Sequence, residues 1–229
     1  MQISIVVPVV NEAPLIQPFL RHVRERAIGA EIIVADGGST DGTADLACDL
    51  CDRVIVSKRS RAIQMNAGAR GANGDILWFV HVDAQVPRNC LEEIKRIMDD
   101  PKVAGGFFRI QLPGGWVYRL TDGFAHYAGI LLRMRCGDHG IFCRRTALLE
   151  IGGFPDVPLM EDVEFFRLLR QHGRVICSDE RIVASPRRYE AIGRTRLTVA
   201  FGLIAMLYIF GVPLPKLALL YGRVCCKPV

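Results

Sequence analysis

His81 and Asp83 close an apolar run, ILWFVHVDAQVP (76–87), and Glu161 and Asp162 stand side by side in LMEDVEF (159–165). Side chains at i and i+2 of an extended chain face the same way. An imidazole and a carboxylate so placed offer half of a divalent-cation site, which a diphosphate and waters can complete; the same pair can also cap a turn. Carboxylates at a helix start are expected to stay ionised, because the helix N-terminus favours negative charge. Asp162 can then take a proton from an attacking hydroxyl, with Glu161 as a positioning group, a role that accelerates reactions by about 10²- to 10⁴-fold. Plain N-terminal capping is the competing reading. Asp36 ends a second apolar run before Gly37 and Gly38. Its carboxylate can accept from a ring N–H and a ribose hydroxyl, or it can simply fix the turn.

Positive charge gathers late in the chain. Arg181, Arg187, Arg188, Arg194 and Arg196 face Glu190 alone between positions 181 and 196, within an overall charge of +5. Such an excess suits an anionic ligand or surface. Arg187 and Arg188 are candidates to neutralise phosphate through charge-assisted hydrogen bonds. Arg194 and Arg196 read equally well as a solvated or membrane-facing patch. No aromatic interleaving or DNA-binding motif accompanies the arginines, so nucleic acid is a poor partner.

These residues need elements to hold them. Short apolar runs at 3–8, 31–35, 54–57 and 76–82 read as buried strands. Between them lie helical patterns: Leu15, Ile16, Phe19, Leu20 and Val23 after an Asn11 cap; a helix starting at Ser39 or Thr40; residues 62–69; and Leu91, Ile94, Ile97 and Met98. Apolar strands alternating with amphipathic helices predict βαβ units and a mostly parallel α/β sheet flanked by helices. In such a sheet ligands sit beyond the carboxyl ends of the strands, where Pro8 to Glu12, Asp36 and His81 to Asp83 fall. Further on, strands are expected at 103–111, 137–144, 174–177 and 182–185. Helices are expected at 116–134, where Trp116, Tyr118, Phe124 and Tyr127 read as packing residues, and at 161–171, stopping at Gly173.

Half of the residues are apolar and mean hydropathy is +0.23. The opening MQISIVVPVV has no basic run and reads as a strand rather than an export signal. Eight scattered cysteines lack the spacing of a zinc site, and Cys48 and Cys51 read as packing residues of a reduced, cytoplasmic protein. Residues 197–212 are 16 in number and free of charge and proline. As a helix they span ~24 Å, short of the ~30 Å hydrocarbon core. They suit a helix lying at a membrane interface, at the inner face of the plasma membrane, or a contact with a second copy through 197–221. The loops carry neither GxGxxG nor GxxxxGK[ST], which argues against dinucleotide and ATP-hydrolysis folds.

SIVVPVVNE, IIVADGGSTDGT, ILWFVHVDAQVP and LMEDVEF, in this order and spacing, resemble a family-2 glycosyltransferase of the GT-A fold. The resemblance covers about residues 1–190 and leaves 191–229 as a basic, hydrophobic helical tail. SRAIQMNAGA (60–69) and GDHGIF (137–142) resemble segments of the small, compact branch of that family. The resemblance implies a nucleoside-diphosphate sugar, UDP- or GDP-linked, as donor to an acceptor hydroxyl, with inversion. Pro8, Val10, Glu12 and Asp36 would hold the base and ribose, with Arg61, Gln64 and Asn66 approaching the nucleotide. Val82 and Asp83 correspond to the end of the DxD motif that binds Mg²⁺ or Mn²⁺ on the diphosphate. His81 replaces its first aspartate, which leans towards manganese. Asp138 and His139 would line the sugar or acceptor pocket, Asp162 would be the base, and Arg187 and Arg188 would stand at the leaving group. Gly37 stands where the family carries a second aspartate, which opens the identity of the base. A sugar nucleotidyltransferase would carry a Gly-rich basic loop after the first strand, which PVVNEAP lacks; a non-catalytic nucleotide-sugar or membrane-binding module is the other alternative. The acceptor suggested by the apolar tail is lipid-linked.

Overall fold

A computed structural model describes residues 1–113 and 137–225. The chain runs β1 (Ile3–Val9), α1 (Ala13–Arg26), β2 (Glu31–Asp36), α2 (Thr43–Cys48), β3 (Arg53–Val56), α3 (Arg61–Gly71), β4 (Ile76–Phe79), α4 (Cys90–Met98) and β5 (Val103–Gln111). A 3₁₀ turn (Gly137–His139) then leads to β6 (Phe142–Arg144), α5 (Arg145–Ile151), α6 (Glu161–His172), β7 (Arg174–Val183), α7 (Arg187–Ile192), α8 (Arg194–Ile209) and α9 (Leu214–Cys225). The strands form one sheet in the order β3-β2-β1-β4-β6-β5-β7. The first four strands are parallel; β6 runs antiparallel to both β4 and β5, and β7 is parallel to β5.

Strand alternation builds a core on each face of the sheet. Ile3, Ile5, Val7, Val9, Ile32 and Val34 pack with α1, α2 and α4, whereas Val6, Ile33, Ala35, Leu77 and Phe79 pack with α3, α5 and α6. Burial outweighs local propensity in α1. Pro18 lies inside it, a placement that costs roughly 3 kcal/mol. Burying Ile16, Phe19, Leu20 and Val23 returns ~1.5–3 kcal/mol for each side chain.

Several elements differ from the sequence expectation. β4 stops at Phe79, and the His81 carbonyl accepts from the Ala84 N–H at 3.1 Å in a turn. His81 and Asp83 therefore do not share a strand face. Helix α2 starts at Thr43 rather than at Ser39 or Thr40, after Gly42 in a left-handed conformation. Asn11 does not cap α1: the cap position is Glu12, and the Ala13 N–H is satisfied from another loop, by Asp41. Residues 137–141 are not strand, because Gly140, at φ +58°, breaks the run before β6. The two short late strands are one, β7, irregular in its register against β5. Cys48 is exposed rather than packed, while Cys51 is partly buried against the core. The helix expected at 116–134, with Trp116, Tyr118, Phe124 and Tyr127, falls outside the described residues.

Close approach of α3 to the sheet depends on Gly68, where a Cβ would lie 2.4 Å from Val6 Cγ1. Gly68→Ala is expected to destabilise the protein by ~1–3 kcal/mol through overpacking. A fall in the urea midpoint at unchanged slope would show this; an unshifted midpoint would contradict it.

Candidate functional site

The loops after β1 and β2 are zipped together at the carboxyl edge of the sheet. The Asn11 N–H donates to Ser39 Oγ and the Thr40 N–H to Asn11 Oδ1, each at 2.9 Å; the Glu12 N–H donates to Thr43 Oγ1 at 2.9 Å. Asn11 adopts a left-handed φ of 53°, which asparagine tolerates better than most residues. Asp36 is only 2% exposed. It accepts from the Gly38 and Ser39 N–H groups at 3.0 and 2.9 Å and from the Ser39 hydroxyl, so both of its oxygens are engaged by its own turn. A Cβ on Gly37 would come within 2.6 Å of Val10 Cγ2 and 2.9 Å of Gln64 Cδ. The place of a second aspartate is thus filled by Val10 and Gln64.

Two amides expected near a nucleotide are committed to backbone. Gln64 Nε2 donates to the carbonyls of Val9 (2.7 Å) and Ala35 (3.0 Å), tying the ends of β1 and β2. Asn66 exchanges a pair of 2.8 Å hydrogen bonds with the backbone of Phe154.

Helix α6 brings the paired carboxylates to this edge. Met160, left-handed at φ 64°, turns the chain into it. Asp162 accepts from the Gly137 N–H and, at 2.7 Å, from the Val163 N–H, and is 7% exposed. Burial first, and then the charge of Glu161, push its pKa up to about 6. These two effects outweigh the helix N-terminus, so the carboxylate is a weaker acid than an ordinary aspartate, though one with a pKa near 6 is still mostly ionised at neutral pH. Glu161 is held by Arg61 at 3.2 Å. His81 Nε2 lies 3.8 Å from Asp138 Oδ1, and burial, then Arg61, lower its pKa. His81 and Asp162 flank Gly137: a Cβ there would sit 2.7 Å from His81 Nε2 and 3.3 Å from Asp162 Oδ2. Pro8, Arg61, His81, Gly137 and Asp162 line one narrow cleft, together with Met65 and Phe154, which sequence reasoning missed. The Gly152-Gly153 pair before Phe154, positive in φ at both residues, was the available signal of a turn able to aim that ring.

Beside the cleft, Arg187 binds Glu12 through two hydrogen bonds of 2.8 and 2.7 Å, and its Nε lies 3.0 Å from Asp83 Oδ2. The loop carrying Asp83 is pinned at Val86, whose N–H donates to His22 Nε2 (3.0 Å) and whose carbonyl accepts from Arg26 (3.1 Å). Val82 is buried in the core. His139 is buried too, its Nδ1 3.0 Å from the Phe108 carbonyl. Arg188 turns away from Arg187, with its guanidinium carbon 5.8 and 5.6 Å from the ring centres of Phe201 and Tyr221. Arg196 is exposed early in α8, the helix that Arg194 begins.

Among the described residues no three His, Cys, Asp or Glu side chains gather as a metal cage. The groups present still fit a shared cation. Asp83 and Glu12 converge on the Arg187 fork, an arrangement of hard oxygens that phosphate oxygens and water can complete for Mg²⁺ or Mn²⁺.

The raised pKa of Asp162 has a thermodynamic consequence. Its folded value, about 6, lies above the unfolded 3.8, so the folded state holds the proton more tightly and stability falls as pH climbs through that window. Asp162→Asn is expected to raise stability at pH 8 by roughly 1–2 kcal/mol, with the gain vanishing below about pH 4. Thermal melts at both pH values check this; a destabilised variant at pH 8 would contradict it.

The sequence model described as glycosyl transferase family 2 matches residues 4–151. Succinoglycan biosynthesis protein ExoA of Rhizobium meliloti (strain 1021) is 32% identical over 202 residues, 77% of this chain; the chain spans 60% of the length of that relative. Mannosyltransferase PcManGT from Pyrobaculum calidifontis, solved with GDP-Man and Mn²⁺, superposes with a TM-score of 0.65 at 24% identity, covering 96% of this chain and 69% of its own. S. aureus TarS 1-349 with UDP-GlcNAc gives a TM-score of 0.62 at 17% identity, covering 81% and 58%. The two structural likenesses carry the fold, a GT-A fold. With the family model covering most of the chain, from the first strand to the end of α5, the chain belongs to glycosyl transferase family 2.

Proposed function

We propose that the protein transfers a sugar from a UDP- or GDP-linked donor to an acceptor hydroxyl in one inverting displacement, with Asp162 as general base. The observation that carries this reading is a buried carboxylate, raised to about 6, in a cleft with Arg61 and His81 at the ligand edge of the sheet. The acceptor oxygen bonds to the anomeric carbon as its proton passes to Asp162. The bond from that carbon to the diphosphate oxygen breaks, and its electron pair leaves with the nucleoside diphosphate. A base near pH 6 is still ionised at neutral pH and accepts a proton more readily than an ordinary aspartate. Glu161, restrained by Arg61, orients the base's end of the cleft. Pro8, Val10 and Glu12, with the Asp36 turn, surround the nucleoside position. Asp83, which does not share a face with His81, would hold Mn²⁺ or Mg²⁺ together with Glu12, phosphate oxygens and water, and the ion when bound would neutralise charge developing on the diphosphate. Arg187 adds a second positive charge there.

The tail, residues 191–229, is read as a membrane-contacting appendage. Val199, Leu203 and Met206 on α8 and Phe210 at its C-terminal cap recur at helical spacing and are all exposed. Arg196, Lys216 and Arg223 are exposed around them, and no acidic residue follows Glu190. Apolar contact with a basic rim suits the anionic inner face of a plasma membrane, and an acceptor that is lipid-linked. Among the described residues no helix is long and apolar enough to cross a membrane.

Asp162→Asn is expected to lower nucleotide release from donor and acceptor by about 10²- to 10⁴-fold while retaining UDP or GDP binding. In the unsubstituted protein kcat/KM should fall below about pH 6, as the base protonates. An unchanged rate in the variant would remove Asp162 from the reaction. Separately, the protein should cosediment with phosphatidylglycerol vesicles in low salt and be released by high salt or by Leu203→Gln with Phe210→Gln. Retention by neutral vesicles alone, or no retention, would set the membrane reading aside.

A further inference from the structure

Arg187 opens α7 and reaches between two strands that neighbour each other in the sheet. Its Nη1 and Nη2 donate to Glu12, beyond the end of β1, and its Nε faces Asp83, beyond the end of β4, all within 3.0 Å. Three of its five N–H groups are therefore directed at two carboxylates. Glu12 and Asp83 are both largely shielded, at 21% and 22% side-chain exposure, so they would repel each other without an intervening cation. The fork engages Asp83 Oδ2 and both Glu12 oxygens, acceptors that a cation shared by the two carboxylates would need. The next residue, Arg188, is seated against the rings of Phe201 in α8 and Tyr221 in α9. Successive arginines thus grip opposite sides, one the donor edge and the other the C-terminal helices.

Resting on the reading of Asp83 as a cation ligand, we propose that Arg187 is a resident counter-ion latch. In the free protein it closes Glu12 and Asp83 to divalent cations. It releases Asp83 only when a nucleoside diphosphate offers its fork an alternative anion. Cation binding is then conditional on nucleotide, and Arg187 is the residue that makes it so. Each anion keeps a cationic partner through the exchange: the guanidinium leaves one carboxylate for the diphosphate as the divalent ion takes its place.

The test is Mn²⁺ binding to the full chain, read from loss of the free-ion EPR signal, with and without UDP or GDP. The unsubstituted protein is expected to bind Mn²⁺ at least tenfold more tightly with one of the two nucleotides than alone. Arg187→Gln should bind Mn²⁺ without nucleotide at least tenfold more tightly than the unsubstituted protein, and adding Asp83→Asn should abolish that gain. Arg187→Lys, which keeps the charge but cannot span both carboxylates, should fall between them and serves if Arg187→Gln does not fold. Equal nucleotide-free affinity in the unsubstituted protein and the Arg187 variants, with tightening by nucleotide intact, would overturn the latch and leave the cation reading standing. No Mn²⁺ binding by any form with either nucleotide would remove the cation reading, and the latch with it.

Discussion

The Gly137 N–H donating to the Asp162 carboxylate joins the two parts of the molecule that make the site. Asp162 belongs to α6, which packs on one face of the sheet; Gly137 begins the turn that feeds β6 into the sheet beside β4. Close contact here is possible only because Gly137 has no side chain to strike His81 or the carboxylate itself. The bond also favours the charged form of an acid that burial and Glu161 push towards neutrality. A buried carboxylate held short of full neutralisation is a poor contributor to stability and a useful proton acceptor.

Much of the frame is legible in the sequence because burial on both sides of a parallel sheet demands continuous apolar runs. Ile3 to Val9, Ile32 to Ala35 and Ile76 to Phe79 carry that signal regardless of the loops they feed. Those loops are less legible, because they satisfy one another across long separations. Asp41 serves α1, Asn11 serves the β2–α2 loop, and Asn66 serves Phe154. Local capping rules have no access to partners 28 or 88 residues away. The same limit applies to His81 and Asp83. Reading β4 through Val82 gave them a common face, whereas the turn at 81–84 gives them different partners, Asp138 and Arg187. At Asp162 the helix N-terminus favours the charged form, but burial outweighs it, and the depth of burial depends on β6 and α6 coming together, which local sequence does not reveal.

The C-terminal helices are fastened to the start of α6. Leu197, Ala200 and Ile204 pack with Leu159 and Met160, immediately before Glu161. The Tyr208 hydroxyl donates to Glu164 on the first turn of α6, and burial, then that contact, push the phenol up to about 12. The start of α6 is therefore tied to α8 on both sides of Glu161, by packing at Leu159 and Met160 and by a hydrogen bond at Glu164.

Gly37 carries a further lesson about how such a site can drift. The room an aspartate would need there belongs to Val10 and to the Gln64 amide that rivets β1 to β2. Gaining a carboxylate at 37 by single steps would have to begin at Val10 and Gln64, with smaller residues and, at Gln64, a loosened sheet edge. The reverse order passes through a chain with side chains competing for one space. Position 37 is epistatic with both, and the order of substitution is fixed by geometry before any selection on the ligand begins.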